Sequence, residues 1–117
     1  MKKLYVVGTM DTKGEELRYA KAMAAAAGVE VCLVDVGTQQ STTDADIPAS
    51  AVAAHHPGGA AAVLSLKDRG RAVSAMAEAL GNFLLSRDDV GGVLGLGGSG
   101  NTALVTEAMR RLPVGVP

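Results

Sequence analysis

The chain has 117 residues and a formal net charge of −1, and 48% of its residues are hydrophobic. Its lysines and arginines are scattered along the sequence, which argues against a nucleic-acid partner. The basic start is followed by an apolar run that ends before Thr9 and Asp11, too short for a signal peptide or a membrane span. We therefore expect a cytoplasmic protein with no membrane partner.

Strand-like and helical patterns alternate along the chain. The apolar run at residues 4–7 predicts a first strand, and the spacing of apolar residues over 14–27 predicts a helix that stops at Gly28. Residues 29–36 predict a second, buried strand, in which the lone Cys32 is a small buried hydrophobe.

The second half continues the alternation. The segment 38–59 is polar and mixed, typical of a mobile surface segment, with a short helix predicted over 49–56 after Pro48. Three further elements follow: an amphipathic helix over 68–86, a third strand over 90–96 and a helix over 101–111.

This order of elements predicts the α/β class, as a Rossmann-like open parallel sheet with helices on both faces. Residues 113–117 look like the start of a fourth strand, and open sheets usually have more strands than this. We therefore expect residues 1–117 to be the front portion of one Rossmann-like nucleotide-binding domain. The exposed sheet edge would be completed by the C-terminal remainder of the same protein or by a second copy in a homo-oligomer.

A glycine-rich loop follows the third predicted strand. Glycines let the backbone approach an anion closely, and the next helix presents its positive amino end there. The spacing also matches the dinucleotide fingerprint, although it follows the third strand and not the first. The loop predicts phosphate binding by Gly97, Gly98, Ser99, Gly100, Asn101 and Thr102. A tight turn with a purely structural purpose is the alternative.

A second polar loop, Gly-Thr-Met-Asp-Thr-Lys-Gly, follows the first predicted strand. It is not a Walker A loop, because the lysine precedes the final glycine. The hydroxyls of Thr9 and Thr12 can bind phosphate oxygens, Lys13 can neutralise them, and Asp11 can hold Mg²⁺ through water. Alternatively Asp11 or Thr12 only caps the helix and Lys13 is solvated. If the two strands are neighbours, both loops meet in one crevice.

Asp35 ends the second predicted strand, where an acidic side chain can accept hydrogen bonds from ribose hydroxyls. An aspartate that caps the following turn explains the position equally well. His55 and His56 are adjacent and have no partner at zinc spacing, so we interpret them as surface residues. No catalytic residue is identified, and metal ligands stay unassigned.

Three segments in this order resemble the N-terminal domain of the ATP-binding family related to the tomato mosaic virus resistance protein. They are residues 7–17, 34–38 and 92–100, and the resemblance covers nearly the whole chain. Family members are longer, with a second α/β part, and the bacterial ones are mostly uncharacterised. The resemblance implies that ATP binds here with Mg²⁺.

Carried over position by position, the resemblance implies that both loops line the phosphates. Asp35, Gly37 and Thr38 then lie on the nucleoside side. Asn101 stands where the family commonly has a further glycine. We expect a regulatory ATP-binding domain; the alternatives are a phosphotransfer or hydrolytic enzyme completed by further C-terminal sequence, or an assembly module without a ligand.

Overall fold

The computed structural model describes residues 2–38 and 45–117, apart from the side chain of Ser99. The predicted alternation of strands and helices is confirmed. The elements are β1 Lys3–Gly8, α1 Met10–Ala26, β2 Val31–Asp35, α2 Ala49–Ala53, α3 Ala61–Leu64, α4 Arg69–Ser86, β3 Val90–Gly95 and α5 Ser99–Met109. The predicted mobile surface segment, 38–59, lies partly outside the described residues.

The strands form a parallel sheet in the order β2-β1-β3. The central strand has to be apolar on both faces, and Tyr5, Val6 and Val7 are fully buried. Tyr5 pairs with Cys32 of β2 on one side and with Val93 of β3 on the other. The chain moves from β1 outward to β2 and then returns to the opposite side of β1, so the strand order reverses between β1 and β3.

Helices cover both faces of the sheet. On one face Tyr5, Val7 and Val34 belong to a large apolar cluster that includes residues of α2, α4 and α5. On the other face α1 packs Met10 and Leu17 in a much smaller cluster around β1 and β2. The fold is therefore a Rossmann-like α/β fold, as predicted. No helix in the described part of the chain is both long and apolar enough to cross a membrane.

The first two predicted helices differ from the prediction in one boundary each. The helix predicted from residue 14 begins at Met10, because a first turn precedes a break at Lys13, where φ is −125° and ψ is 23°. The helix predicted over 49–56 ends at Ala53 and is followed by the unpredicted α3.

The predicted start of a fourth strand is also different in detail. Val114 and Gly115 form a turn, and Gly115 adopts a left-handed φ of +102°. Pro117 then lies beside β3, where its carbonyl accepts a hydrogen bond of 2.9 Å from the Val93 amide. This residue takes the place at the outer edge of β3 that a further strand would occupy.

Candidate functional site

A cleft of about 270 Å³ opens beyond the carboxyl ends of β1 and β3. In open α/β sheets, ligands bind in the crevice where the strand order reverses, and this cleft lies at that position. Its wall includes Thr9, Asp11 and Thr12 of the first loop, and Thr38, which follows β2. Gly98, Gly100 and Asn101 of the glycine-rich loop line it as well. The two predicted loops therefore meet.

The first loop presents hydroxyls to the cleft. Thr9 and Thr12 lie one helical turn apart, and their Oγ1 atoms are hydrogen-bonded at 2.6 Å. When Thr12 donates in that bond, the Thr9 hydroxyl keeps its hydrogen for a ligand; when Thr9 donates, the Thr12 hydroxyl points its hydrogen to the Thr9 carbonyl at 3.5 Å. Asp11 is exposed between them and contributes a carboxylate to the wall.

Asp35 is buried behind this wall, with 1% of its surface exposed. Its Oδ1 accepts hydrogen bonds from the Met10 amide at 3.1 Å and from the Gly37 amide at 2.9 Å. A Cβ atom on Gly37 would lie 3.2 Å from Oδ1 of both Asp35 and Asp11, so the two carboxylates flank this glycine. The aspartate caps the start of α1 and the turn after β2, which is the structural explanation that the sequence left open.

The glycine-rich loop contains glycines with two different purposes. A Cβ on Gly97 would lie 2.7 Å from that of Asn101, and its φ of +152° disfavours other residues, so Gly97 is required by the turn. Apart from the chain neighbours and the helix's own backbone, no described atom lies within 4 Å of a Cβ built on Gly98 or Gly100. These two glycines leave open space at the cleft.

Asn101 is buried in the wall, with 9% of its surface exposed. Its Nδ2 donates to the Leu96 carbonyl at 2.6 Å. Among the described residues its Oδ1 has no hydrogen-bond partner. Exchanging the two ends of the amide would bring two oxygens together at Leu96, so the carboxamide keeps an acceptor available.

Sequence reasoning missed the contribution of α4. The exposed Arg69 and the partly buried Val73 line the cleft, together with the buried Leu104 of α5 and Val36 after β2. The helical pattern only places Arg69 at a helix end. Its position beside the glycine-rich loop results from the packing of α4 against α5.

Five of the predicted residues that the structure describes are not on the cleft wall. Lys13 is half-buried at the break in α1, Asp35 and Gly37 lie behind the wall, and Gly97 shapes the turn. Thr102 is exposed on α5. The side chain of Ser99 lies outside what the structure describes.

The residues that the structure describes offer little for an all-protein metal site. Within residues 2–38 and 45–117 no three His, Cys, Asp or Glu side chains come together. His56 contacts Glu78 through Nε2 at 3.4 Å, and the His55 ring meets Phe83 edge-on. Cys32 is buried, and burial raises the pKa of its thiol, which fits the predicted structural residue.

The chain is similar to known proteins over nearly its whole length. The family model described as "Uncharacterised protein family (UPF0261) N-terminal domain" matches residues 2–117. A UPF0261 protein of Rhizobium meliloti (strain 1021) is 60% identical over 117 residues, which cover 100% of this chain and 29% of that protein. A UPF0261 protein of Clostridium tetani is 34% identical over 120 residues, covering 99% of this chain and 30% of the relative.

A plant protein is similar over the same region. The ToMV resistance protein Tm-1(GCR237) of Solanum lycopersicum is 35% identical over 134 residues, covering 98% of this chain and 18% of that protein. The chain thus spans less than a third of the length of the relatives it matches.

Proposed function

The chain belongs to the uncharacterised protein family UPF0261, and with this membership as a premise we propose that it is a regulatory nucleotide-binding domain that holds ATP and Mg²⁺ in the cleft. In this proposal ATP orders the walls of the cleft and stabilises a surface for a partner. That partner is a second copy of the chain or the remainder of a longer protein, and the surface we assign to it is the outer edge of the sheet on the β3 side, where Pro117 lies against Val93.

One observation carries the proposal. The cleft lies where the strand order reverses, and the amino end of α5 reaches it through Gly98 and Gly100. Helix amino ends attract anions through their free amides and their positive partial charge. Because both glycines have open space around them, a phosphate can approach the backbone closely.

The remaining wall fits the other parts of a nucleotide. Val36, Val73 and Leu104 supply apolar surface and Thr38 supplies a hydroxyl. The volume of about 270 Å³ is just below the range of about 300–1,000 Å³ typical of small-molecule sites. We propose that the phosphates and the sugar fill the cleft while the base extends along its apolar rim.

The residues present also fit a magnesium ion that arrives with the phosphates. Mg²⁺ is usually held by one or two carboxylates, several waters and the phosphates themselves. Asp11 supplies a carboxylate on the cleft wall, and Thr9 and Thr12 supply hydroxyls beside it. The metal would offset the repulsion between the Asp11 carboxylate and the phosphate charge.

Thermal unfolding with and without Mg-ATP tests the proposal. A ligand at a hundredfold excess over its Kd stabilises the folded state by about 2.7 kcal/mol, so Mg-ATP should raise the Tm. Gly98→Ala and Gly100→Ala each place a methyl group in the space left for phosphate, and we expect both variants to lose this rise.

The two glycine variants also control for folding, because nothing lies within 4 Å of either new methyl group. Without nucleotide the Tm of Gly100→Ala should equal or exceed that of the wild type, and the Tm of Gly98→Ala should be only slightly lower, because glycine is preferred to alanine at the N-cap position. Thr106→Ala, at an exposed position of α5 outside the cleft, is the matched variant that should respond to Mg-ATP like the wild type. An unchanged Tm of the folded wild type at millimolar Mg-ATP would refute the proposal.

A further inference from the structure

Three helices of the described part begin at the cleft: α1 at Met10, α4 at Arg69 and α5 at Ser99. A helix amino end attracts an anion only while its amides are not already paired. The Met10 amide donates to Asp35, so the start of α1 already has a carboxylate beside it. At the start of α4 the side chain of Asp68 accepts from the Arg71 amide at 3.0 Å.

The start of α5 is different. Its N-cap is Gly98, which has no side chain to cap the helix, and no acidic residue lies in its first turn. Among the helices that begin at the cleft, as far as the chain is described, α5 therefore has the amino end that is open to an added anion. The two loops predicted to bind phosphate are not electrostatically equivalent.

The unpartnered Oδ1 of Asn101 is independent evidence for a ligand at this helix end. A buried acceptor without a donor is rare in folded proteins, because it loses its hydrogen bonds to water. Asn101 is a residue of the cleft wall, its Nδ2 is held by the Leu96 carbonyl, and its Oδ1 is the buried end of the carboxamide that has no donor among the described residues. A fully ionised phosphate has no hydrogen to donate to it, whereas a hydroxyl group of a ligand does.

Arg69 adds a positive charge to the cleft that the amino end of α5 reaches. It is exposed at the first position of α4 and lines the cleft. Within residues 2–38 and 45–117 no carboxylate forms an ion pair with it. Among the described residues the other charged side chain on the wall is that of Asp11, which belongs to α1. The cleft therefore has a cationic wall at α4 and α5 and an anionic wall at α1.

We propose that Arg69 and the amino end of α5 together bind the anionic group of a phosphate ester that also carries a hydroxyl group. The guanidinium binds two phosphate oxygens in its plane, and Asn101 accepts from the hydroxyl. This inference rests on the proposed function but assigns the anion to α4 and α5, not to the Lys13 loop. Arg69, which the sequence pattern places in solvent at a helix end, is then a specificity residue.

Isothermal titration of the 117-residue chain with inorganic triphosphate, with ATP and with adenosine tests the assignment. Arg69→Gln should weaken binding of triphosphate and of ATP by about tenfold or more, the usual size of a lost charge-assisted hydrogen bond, and leave adenosine unaffected. Arg69→Lys keeps the charge but loses the planar pair of bonds, so its effect should lie between those of the wild type and Arg69→Gln.

Arg71→Gln is the matched control, because Arg71 is an exposed arginine two residues further along α4 and does not line the cleft. It removes the same charge and should change either affinity by about twofold at most, as expected of a screened surface charge. Tm values of both variants that equal the Tm of the wild type establish that neither change alters folding.

The outcomes separate this inference from the proposed function. If ATP binds and both glutamine variants weaken it equally, nucleotide binding stands and the assignment of Arg69 is wrong. If triphosphate binds in an Arg69-dependent way while ATP does not bind, the anion site stands and the nucleotide proposal is wrong. If the wild type binds neither triphosphate nor ATP, the anion site and the nucleotide proposal are both wrong.

Discussion

The Asp35 carboxylate accepts a hydrogen bond of 3.1 Å from the Met10 amide, which fastens the end of β2 to the first residue of α1. The same oxygen accepts from Gly37, and the side chain is buried. Because Asp35→Ala leaves both amides without this acceptor, we expect it to lower the free energy of unfolding by about 1–3 kcal/mol. Urea denaturation measures this loss.

Asp68 provides the comparison, because it caps α4 through a single exposed hydrogen bond to the Arg71 amide. Asp68→Ala should lower the free energy of unfolding by about 1 kcal/mol or less, the lower half of the range for helix caps. A loss for Asp35→Ala no larger than that for Asp68→Ala would contradict the structural role of Asp35.

Two neighbouring glycines of the glycine-rich loop should respond to different extents to the same substitution. Gly97→Ala puts a methyl group 2.7 Å from Cβ of Asn101 at a φ of +152°, so it should lower the free energy of unfolding by more than about 1 kcal/mol. At Gly98 the new methyl group meets no atom, and the change should stay within about 0.5 kcal/mol. Chemical denaturation of the two variants side by side checks this, and equal losses would show that the turn is not constrained as described.

The raised pKa of Tyr5 predicts a loss of stability at high pH. Burial, followed by the hydrogen bond to Asp89, raises its pKa to about 12, although Arg87 donates to the same hydroxyl at 3.0 Å. The unfolded chain releases this proton near pH 10, so the stabilisation is complete below about pH 10 and is lost as the pH rises towards 12. Tyrosinate absorbance during a pH titration of a Tyr19→Phe variant observes Tyr5 alone. Titration of Tyr5 near pH 10 in the folded protein would contradict the prediction.

The lowered pKa of Asp46 predicts a loss of stability in acid. Burial raises its pKa, but the Leu33 amide at 2.8 Å and the Lys21 ammonium at 3.0 Å outweigh burial and hold the pKa below its usual range. This stabilisation is present above the unfolded pKa of about 3.9 and is lost as the pH falls through the lower folded value. Asp46→Asn should therefore have a flatter dependence of unfolding free energy on pH in this window, measured by denaturation at several acidic pH values. An unchanged slope would show that Asp46 does not contribute to it.

The sequence predicts the strands and long helices well, because their apolar periodicity is set by the two faces of the sheet. The start of α1 shows where this stops. The predicted start at residue 14 coincides with the regular helix after the break at Lys13, but the turn before it depends on Asp35, which belongs to another element. Periodicity cannot detect a cap that comes from elsewhere in the chain.

The candidate site was predictable to a similar degree. Glycines and hydroxyls after two strands indicate both loops, and parallel neighbours bring them together. Arg69 was not predictable, because only the packing of α4 on α5 brings it to the cleft. Ile47, which pairs with β2 at Val34, was missed because a single bridged residue has no sequence period.

The unequal apolar clusters on the two faces of the sheet give α1 a particular place in the dynamics of the chain. Segments with few buried apolar residues open at a lower free energy than the rest of a domain. Detachment of α1 would disrupt the small cluster around Leu17 and the hydrogen bond between Met10 and Asp35, and it would carry Thr9 and Asp11 away from the other wall. Hydrogen exchange along this helix would then report whether the cleft is occupied. A bound molecule that bridges the two walls has to leave before α1 can separate from the sheet.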